Sequence, residues 1–250
     1  METKKTDRSL AKLWDLAVAM VLLTRLPIPD LPKHAFSNPA RSVWAYPIVG
    51  LILGIIVGLV SWVCTKLNFS DGITAGIILG ALIILTGAMH DDGLADTFDG
   101  LWGGLDITKR LEIMRDSHIG VYGVLALIVA TGLRWLSLTE VTVTDILTAL
   151  VISRAMMPLL MWAMPNARET GLSHSIGRPR LTSVVIGIFI AAAIGIILSG
   201  GLGIAALVVA VGVATLVGSV ASNKIGGQTG DILGATQLLA EISILMVLIS

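Results

Sequence analysis

Residues 182–199 read TSVVIGIFIAAAIGIILS, a run of 18 positions without an ionisable side chain. At 1.5 Å per residue this run reaches about 27 Å as an α-helix, close to the thickness of a bilayer's hydrocarbon core. Comparable apolar runs lie near 44–65, 74–89, 119–139, 146–163, 204–221 and 232–250. Hydrophobic residues make up 55% of the 250 and charged residues 14%, and the mean hydropathy is +0.89. A water-soluble globule of that composition would leave much apolar surface in water. The fold expected is therefore all-α: a polytopic integral membrane helical bundle, about seven transmembrane helices, in one membrane domain over 1–250.

The region ahead of the first run reads differently. Leu13–Leu26 is short and interrupted by Asp15, so 1–43 is expected to be a cytoplasmic or interfacial segment holding a short helix. Lys4, Lys5, Arg8 and Lys12 resemble the start of a signal peptide, but no small-residue cleavage pattern follows at Arg25-Leu26-Pro27, and the segment is expected to stay in the mature chain. Fourteen of the Lys and Arg residues fall in 1–43, 90–118, 164–181 and 222–231, against one in 66–73 and none in 140–145 or 200–203. The positive-inside rule puts the first group in the cytoplasm, with the C-terminus outside.

Several function classes are excluded. The chain has 17 Lys and Arg against 17 Asp and Glu, so its balance offers no field for holding nucleic acid. Cys64 is the single cysteine, which removes disulfide frameworks and thiolate metal sites. No internal repeat suggests a transporter built from two halves. Gly50, Gly54 and Gly58, and likewise Gly76 and Gly80, are spaced for close helix packing, and Pro158 is expected to bend its span.

Chemistry concentrates after the second run. Residues 90–118 carry seven of the 17 acids, beginning with His90-Asp91-Asp92-Gly93-Leu94-Ala95-Asp96-Thr97-Phe98-Asp99-Gly100. This is expected to be a cytoplasmic Asp-rich active-site loop. If the piece is helical, Asp92, Asp96 and Asp99 fall within about 60° of one face and would repel unless a cation neutralised them. Carboxylates suit Mg²⁺, with Mn²⁺ an alternative, sharing the ion with water and substrate phosphates. The plain alternatives are a solvated acidic loop or acids offsetting a helix dipole. Gly93, Gly100, Gly103 and Gly104 would let a bulky ligand approach the backbone.

Around the acids stand further candidates. His90 could act as a general base or orient water. Lys109, Arg110, Arg115, Asp116, Ser117 and His118 precede Ile119-Gly120, and cations there could clamp a diphosphate or simply anchor the chain. Arg134 and Arg154 are expected to face the bundle interior or to snorkel, with Arg134 toward the outer end of its span and suited to snorkelling, and Arg154 able to reach a phosphate or Glu241 inside the bundle. The loop Asn223-Lys224-Ile225-Gly226-Gly227-Gln228-Thr229-Gly230-Asp231 lacks the spacing of a nucleotide-binding P-loop. Asp231 could still complete a metal site, and Gln228 and Thr229 could bond a sugar or base. The stretch Gly177-Arg178-Pro179-Arg180 reads as juxtamembrane anchoring first.

These residues resemble the cobalamin synthase family, the adenosylcobinamide-GDP ribazoletransferases. The resemblance runs from Leu23-Thr24-Arg25-Leu26-Pro27-Ile28-Pro29 through the 90–100 block. It continues through Arg110-Leu111-Glu112-Ile113-Met114-Arg115-Asp116-Ser117 and Ser153-Arg154 to Gly226-Gly227-Gln228-Thr229-Gly230-Asp231. It implies a Mg²⁺-dependent membrane enzyme of late vitamin B12 assembly. In that reaction the 5′-hydroxyl of α-ribazole, or the corresponding α-ribazole 5′-phosphate, attacks the cobinamide-side phosphorus of adenosylcobinamide-GDP. GMP leaves, giving adenosylcobalamin or its 5′-phosphate.

Within this frame Asp92 and Asp96, with Asp231, are expected to bind the metal, Asp99 to be a further ligand or the base, and Arg115 to steady phosphates beside His90. Asp91, Gly93, Arg110, Asp116, Ser117, Gly120, Arg154, Gly227, Gln228 and Thr229 are the expected substrate-binding positions. The expected setting is the cytoplasmic (inner) membrane of a bacterium or archaeon, with the site facing the cytoplasm and other late corrinoid-pathway enzymes as partners. The acidic block also resembles CDP-alcohol phosphotransferases, although Asp96 stands where that family has Arg after Ala. A divalent-cation transport path is a third reading, and it would want its acids nearer mid-membrane.

Overall fold

The structure, a computed structural model, describes residues 14–249. The charged start of the chain, where the retained leader was expected, lies outside them. Helix α1 is Trp14–Leu23, ten residues and too short to cross a bilayer. Two 3₁₀ turns, Lys33–Ser37 and Pro39–Ala45, lead into α2 (Tyr46–Lys66). There follow α3 (Asp71–Thr86), α4 (Met89–Gly103), α5 (Ile107–Ile113), α6 (Val121–Glu140), α7 (Val143–Ala163), α8 (Leu172–Ile176), α9 (Leu181–Ser199), α10 (Gly201–Ile225) and α11 (Gly230–Leu248). Among the described residues six helical stretches are long and apolar enough to cross a membrane, and α3 with α4 makes a seventh, bent by 86°. All seven apolar runs thus become helices, and this is a membrane protein of helical bundle architecture.

Helix boundaries follow local chemistry. Thr142 and Asp145 form a reciprocal capping box that starts α7, and the Thr229 hydroxyl accepts from the Ile232 amide to start α11. The α3–α4 break is less ordinary. Gly87 ends α3 in the left-handed region (φ 64°), and Ala88 follows at φ 57°, a conformation that an L side chain seldom adopts. The expected span 74–89 accordingly ends at Thr86. The acid-rich 90–118, expected as a loop, is two helices separated by a short turn.

α7 and α11 form the middle of the bundle, with 78% and 72% of their apolar windows buried. Gly50 and Gly54 let α2 lie against α7 at Leu150 and Leu147, as their spacing implied. The same reading fails in α3, where Gly80 faces open space and Gly76 meets only the edge of Trp135 at 4.0 Å. α7 continues helical through Pro158. Large side chains such as Phe189, Ile197 and Leu216 point outward from α9 and α10, which in a bilayer is their favourable environment. The connections 67–70, 141–142 and 200 are short and lie at one end of the alternating spans. The long connections, 104–120 and 164–180, gather at the other end with the start of α11.

Candidate functional site

The site is built where α4 crosses α11. A Cβ on Gly93 would come within 2.9 Å of the Asp231 carbonyl oxygen and 3.3 Å of the Gly234 Cα. Two glycines thus allow the backbones to touch, which brings the first turn of α11 to the acidic face of α4. Asp92 is exposed, and Asp96 and Asp231 are half-buried. Their carboxylates are close enough to repel one another. Neither the Asp92 nor the Asp96 carboxylate has a hydrogen bond or ion pair among the described residues. Asp231 is anchored: its Oδ2 accepts from Thr229 Oγ1 and from Arg168 Nη2, both at 3.1 Å.

Arg168 is the residue that sequence reading missed. It sits in the 164–180 connection, where it entered only the count of positive charges on one side of the membrane. A strap places it. Asn166 and Gln228 form a parallel bridge, with the Ala167 amide on the Gln228 carbonyl and the Gln228 amide on the Pro165 carbonyl, each at 2.9 Å. The buried Gln228 side chain accepts from Ser173 Oγ at 2.7 Å and donates to Asn166 Oδ1. Gln228 and Gly227, expected at the substrate, therefore lie against this connection and fasten it to the α10–α11 turn, whereas Thr229, expected there too, caps α11 and bonds Asp231.

Other candidates are also given new positions. Asp99 shares the acidic arc, but its Oδ2 accepts from the Gly120 amide (2.7 Å) and its Oδ1 from the Gly123 amide (2.9 Å). It caps α6 from a neighbouring helix, and a Cβ at Gly120 or Gly123 would collide with its carboxylate. Asp99→Ala should therefore cost about 1–2 kcal/mol of stability, seen as a lower unfolding temperature of the purified protein, while Asp99→Asn, keeping one acceptor oxygen, should cost less.

Arg110 turns away from the acids: Nε donates to the Gly104 carbonyl (3.0 Å) and Nη1 to the Lys224 carbonyl (2.9 Å). Arg115 is exposed and donates to Thr170 Oγ1 at 2.8 Å. Asp116 and Ser117 are exposed beside it. The His118 imidazole lies 2.7 Å from Asp116 Oδ1, which holds the Asp116 carboxyl below its usual range and raises the imidazole. Raising the pH through that imidazole range removes the attraction. Because both groups are fully solvated, His118→Ala is expected to leave the unfolding temperature unchanged on either side of that range.

On the inner side of α4 lies a buried polar network. Arg134, for which snorkelling and the bundle interior were both open, is 4% exposed and takes the interior. Its Nη2 and Nε bond Glu241 Oε1 at 2.8 and 3.1 Å, and its Nη1 bonds Asp91 Oδ1 at 3.2 Å. Arg154, proposed for Glu241, instead donates to the Leu150 carbonyl at 3.0 Å. Gln237 stands between, donating to Glu241 Oε2 (2.8 Å) and Ser153 Oγ (3.0 Å). Asp91 is thus a structural partner. His90 is buried with Nε2 unpartnered, facing a cleft lined by Tyr46, Met157, Met161 and Leu233, on the side of α4 away from Asp92.

No three His, Cys, Asp or Glu side chains among the described residues stand close enough to enclose an ion by themselves. The donor set nevertheless suits a hard cation of the Mg²⁺ type. Such an ion keeps several waters and binds through one or two carboxylates plus substrate phosphates, so a closed protein cage is not what it requires. Two partnerless carboxylates facing a third answer that description.

Known proteins resemble this chain along most of its length. The family described as cobalamin-5-phosphate synthase matches residues 15–249. A protein of Bradyrhizobium diazoefficiens named adenosylcobinamide-GDP ribazoletransferase is 41% identical over 93% of this chain and 92% of its own. A Mesorhizobium japonicum protein of the same name is 38% identical over the same shares, and one of Brucella anthropi is 37% identical over 92% and 94%. No solved structure matches.

Proposed function

The chain belongs to the cobalamin-5-phosphate synthase family, and from that membership we propose how the crossing of α4 and α11 carries out the transfer. The activity is adenosylcobinamide-GDP ribazoletransferase, the cobalamin synthase step of B12 biosynthesis. The finer reading is that Asp92, Asp96 and Asp231 form the reaction centre. It is carried by one observation: the Asp92 and Asp96 carboxylates have no partner among the described residues and lie with Asp231 at a glycine-to-glycine contact.

Phosphoryl transfer asks a protein mainly for positioning and charge neutralisation. Asp92 and Asp231 would hold Mg²⁺, or Mn²⁺ in its place, which when bound would neutralise charge on the donor diphosphate. Asp231 is kept in position by Thr229 and Arg168. A product that retains the 5′-phosphate requires a secondary ribose hydroxyl as nucleophile, since the 5′ oxygen is already esterified; the expectation of a 5′-hydroxyl attack is corrected on that ground. The new bond joins this oxygen to the cobinamide-side phosphorus, the bond to GMP breaks, and GMP carries away the negative charge. Asp99 has both oxygens committed to amides, so the hydroxyl proton passes to Asp96, whose carboxylate is free to accept it.

The positive-inside distribution favours a site facing the cytoplasm, where nucleotide substrates and Mg²⁺ are at hand. The deciding experiment measures GMP release and corrinoid product from membranes holding this protein, given adenosylcobinamide-GDP and either α-ribazole or its 5′-phosphate. Activity should require Mg²⁺ and vanish with excess EDTA. Full activity in EDTA would remove the metal from this reading.

A further inference from the structure

We propose that Arg168 binds a phosphate oxygen of the donor diphosphate through Nη1 while Asp231 holds Nη2. The proposal rests on the reaction centre just described and adds a residue to it. Three observations carry it. Arg168 is the cation hydrogen-bonded within the acid group, with Nη2 3.1 Å from Asp231 Oδ2. Its Nη1 is buried and has no acceptor among the described residues, although an unsatisfied buried donor costs about 1–3 kcal/mol and more when charged. Third, the connection packs closely on the guanidinium edge opposite Nη1: a Cβ at Gly171 would stand 3.3 Å from both Nε and Nη2, and this residue has φ +100°, where a side chain is strained.

An arginine needed only as a counter-ion to Asp231 would have no reason to leave half of its fork unsatisfied. A guanidinium presents parallel donors that match carboxylate on one edge and phosphate on another. The Asn166–Gln228 strap fixes the connection that carries it, so little side-chain freedom remains to be lost when the second acceptor arrives. Asp231 then plays two roles, facing the acids with one oxygen and orienting the arginine with the other. The donor is the favoured source of the phosphate because its diphosphate is the group that must lie against Asp92 and Asp96. The acceptor's 5′-phosphate is the other chemically equivalent source.

The test uses full-length protein in lipid nanodiscs: wild type, Arg168→Gln and Arg168→Lys. Affinity for adenosylcobinamide-GDP is measured calorimetrically in EDTA, where no turnover occurs, and KM is measured with Mg²⁺ for the donor, for α-ribazole and for α-ribazole 5′-phosphate. Arg168→Gln should weaken donor binding about tenfold or more, and Arg168→Lys should recover only part of it, because it keeps the charge and loses the fork. KM for both acceptors should stay unchanged. If Arg168→Gln does not fold, the lysine variant carries the comparison.

Two results would overturn the proposal. Unchanged donor affinity in both variants would mean that Arg168 serves Asp231 alone. A loss confined to α-ribazole 5′-phosphate would assign the contact to the acceptor. Failure of the underlying reading shows separately, as full activity of Asp92→Asn beside an intact donor-binding defect in Arg168→Gln.

Discussion

Asp92→Asn and Asp96→Asn should each lower turnover about a hundredfold or more, the scale set by losing a preorganised electrostatic group at a transferring phosphoryl centre, without lowering the unfolding temperature. The two halves of this expectation come from the same observation. Neither carboxylate has a partner among the described residues, so an amide of equal shape removes no contact, and it relieves repulsion from the neighbouring acids. A variant that is inactive and at least as stable as wild type marks residues kept for chemistry at a cost in stability. The measurement pairs GMP release per mole of folded protein with thermal unfolding in the same detergent. A variant that lost activity only in proportion to lost folded protein would return Asp92 or Asp96 to a structural role.

Arg134→Met is expected to act in the opposite way. It leaves Glu241 and Asp91 buried without their cation, and breaking a buried pair by removing one partner costs about 3–5 kcal/mol. The loss should appear as a steep fall in unfolding temperature and in yield from membranes. Removing Glu241 alone by Glu241→Gln should be milder, because Arg134 keeps Asp91 and the amide can still accept from Gln237. The triple change Arg134→Met, Asp91→Asn, Glu241→Gln removes the three hydrogen-bonded charges together, leaves Arg154 on the Leu150 carbonyl, and should recover part of the stability. If the triple variant is no better than Arg134→Met, the ions themselves, rather than the imbalance left by removing one, hold the helices.

Much of this molecule was legible in its sequence because the relevant signals are local. An apolar run of bilayer length announces a membrane helix whatever surrounds it, and carboxylates at Asp92 and Asp96 share a face as soon as the segment is helical. What was illegible depends on partners from other helices. Arg134 and Glu241 are 107 positions apart, and nothing near Arg134 distinguishes an arginine that snorkels from one that faces an acid inside the bundle. Arg168 lies 63 positions from Asp231, and its connection is fixed by a bridge made of two short, patternless stretches. The turn at Gly87 and Ala88 was hidden for another reason: alanine in a left-handed conformation leaves no mark in a sequence. Asp99 shows the reverse case, since the glycines at 120 and 123 were visible signals, and only the structure shows that they make room for its carboxylate.

The bend between α3 and α4 bears on how the protein is made. α4 carries four aspartates and a histidine, so it has little tendency to leave a translocation channel sideways into lipid by itself. The partners that would receive it, the Gly120 and Gly123 amides, Arg134, and the glycine contact at Gly234, are synthesised later. The last of the described helices supplies Asp231, Gly234 and Glu241 together. The expected order of assembly therefore has α4 completing its burial only once α11 has been made. A nascent chain halted before α11 should hold every earlier span in the membrane and have α4 open to proteases.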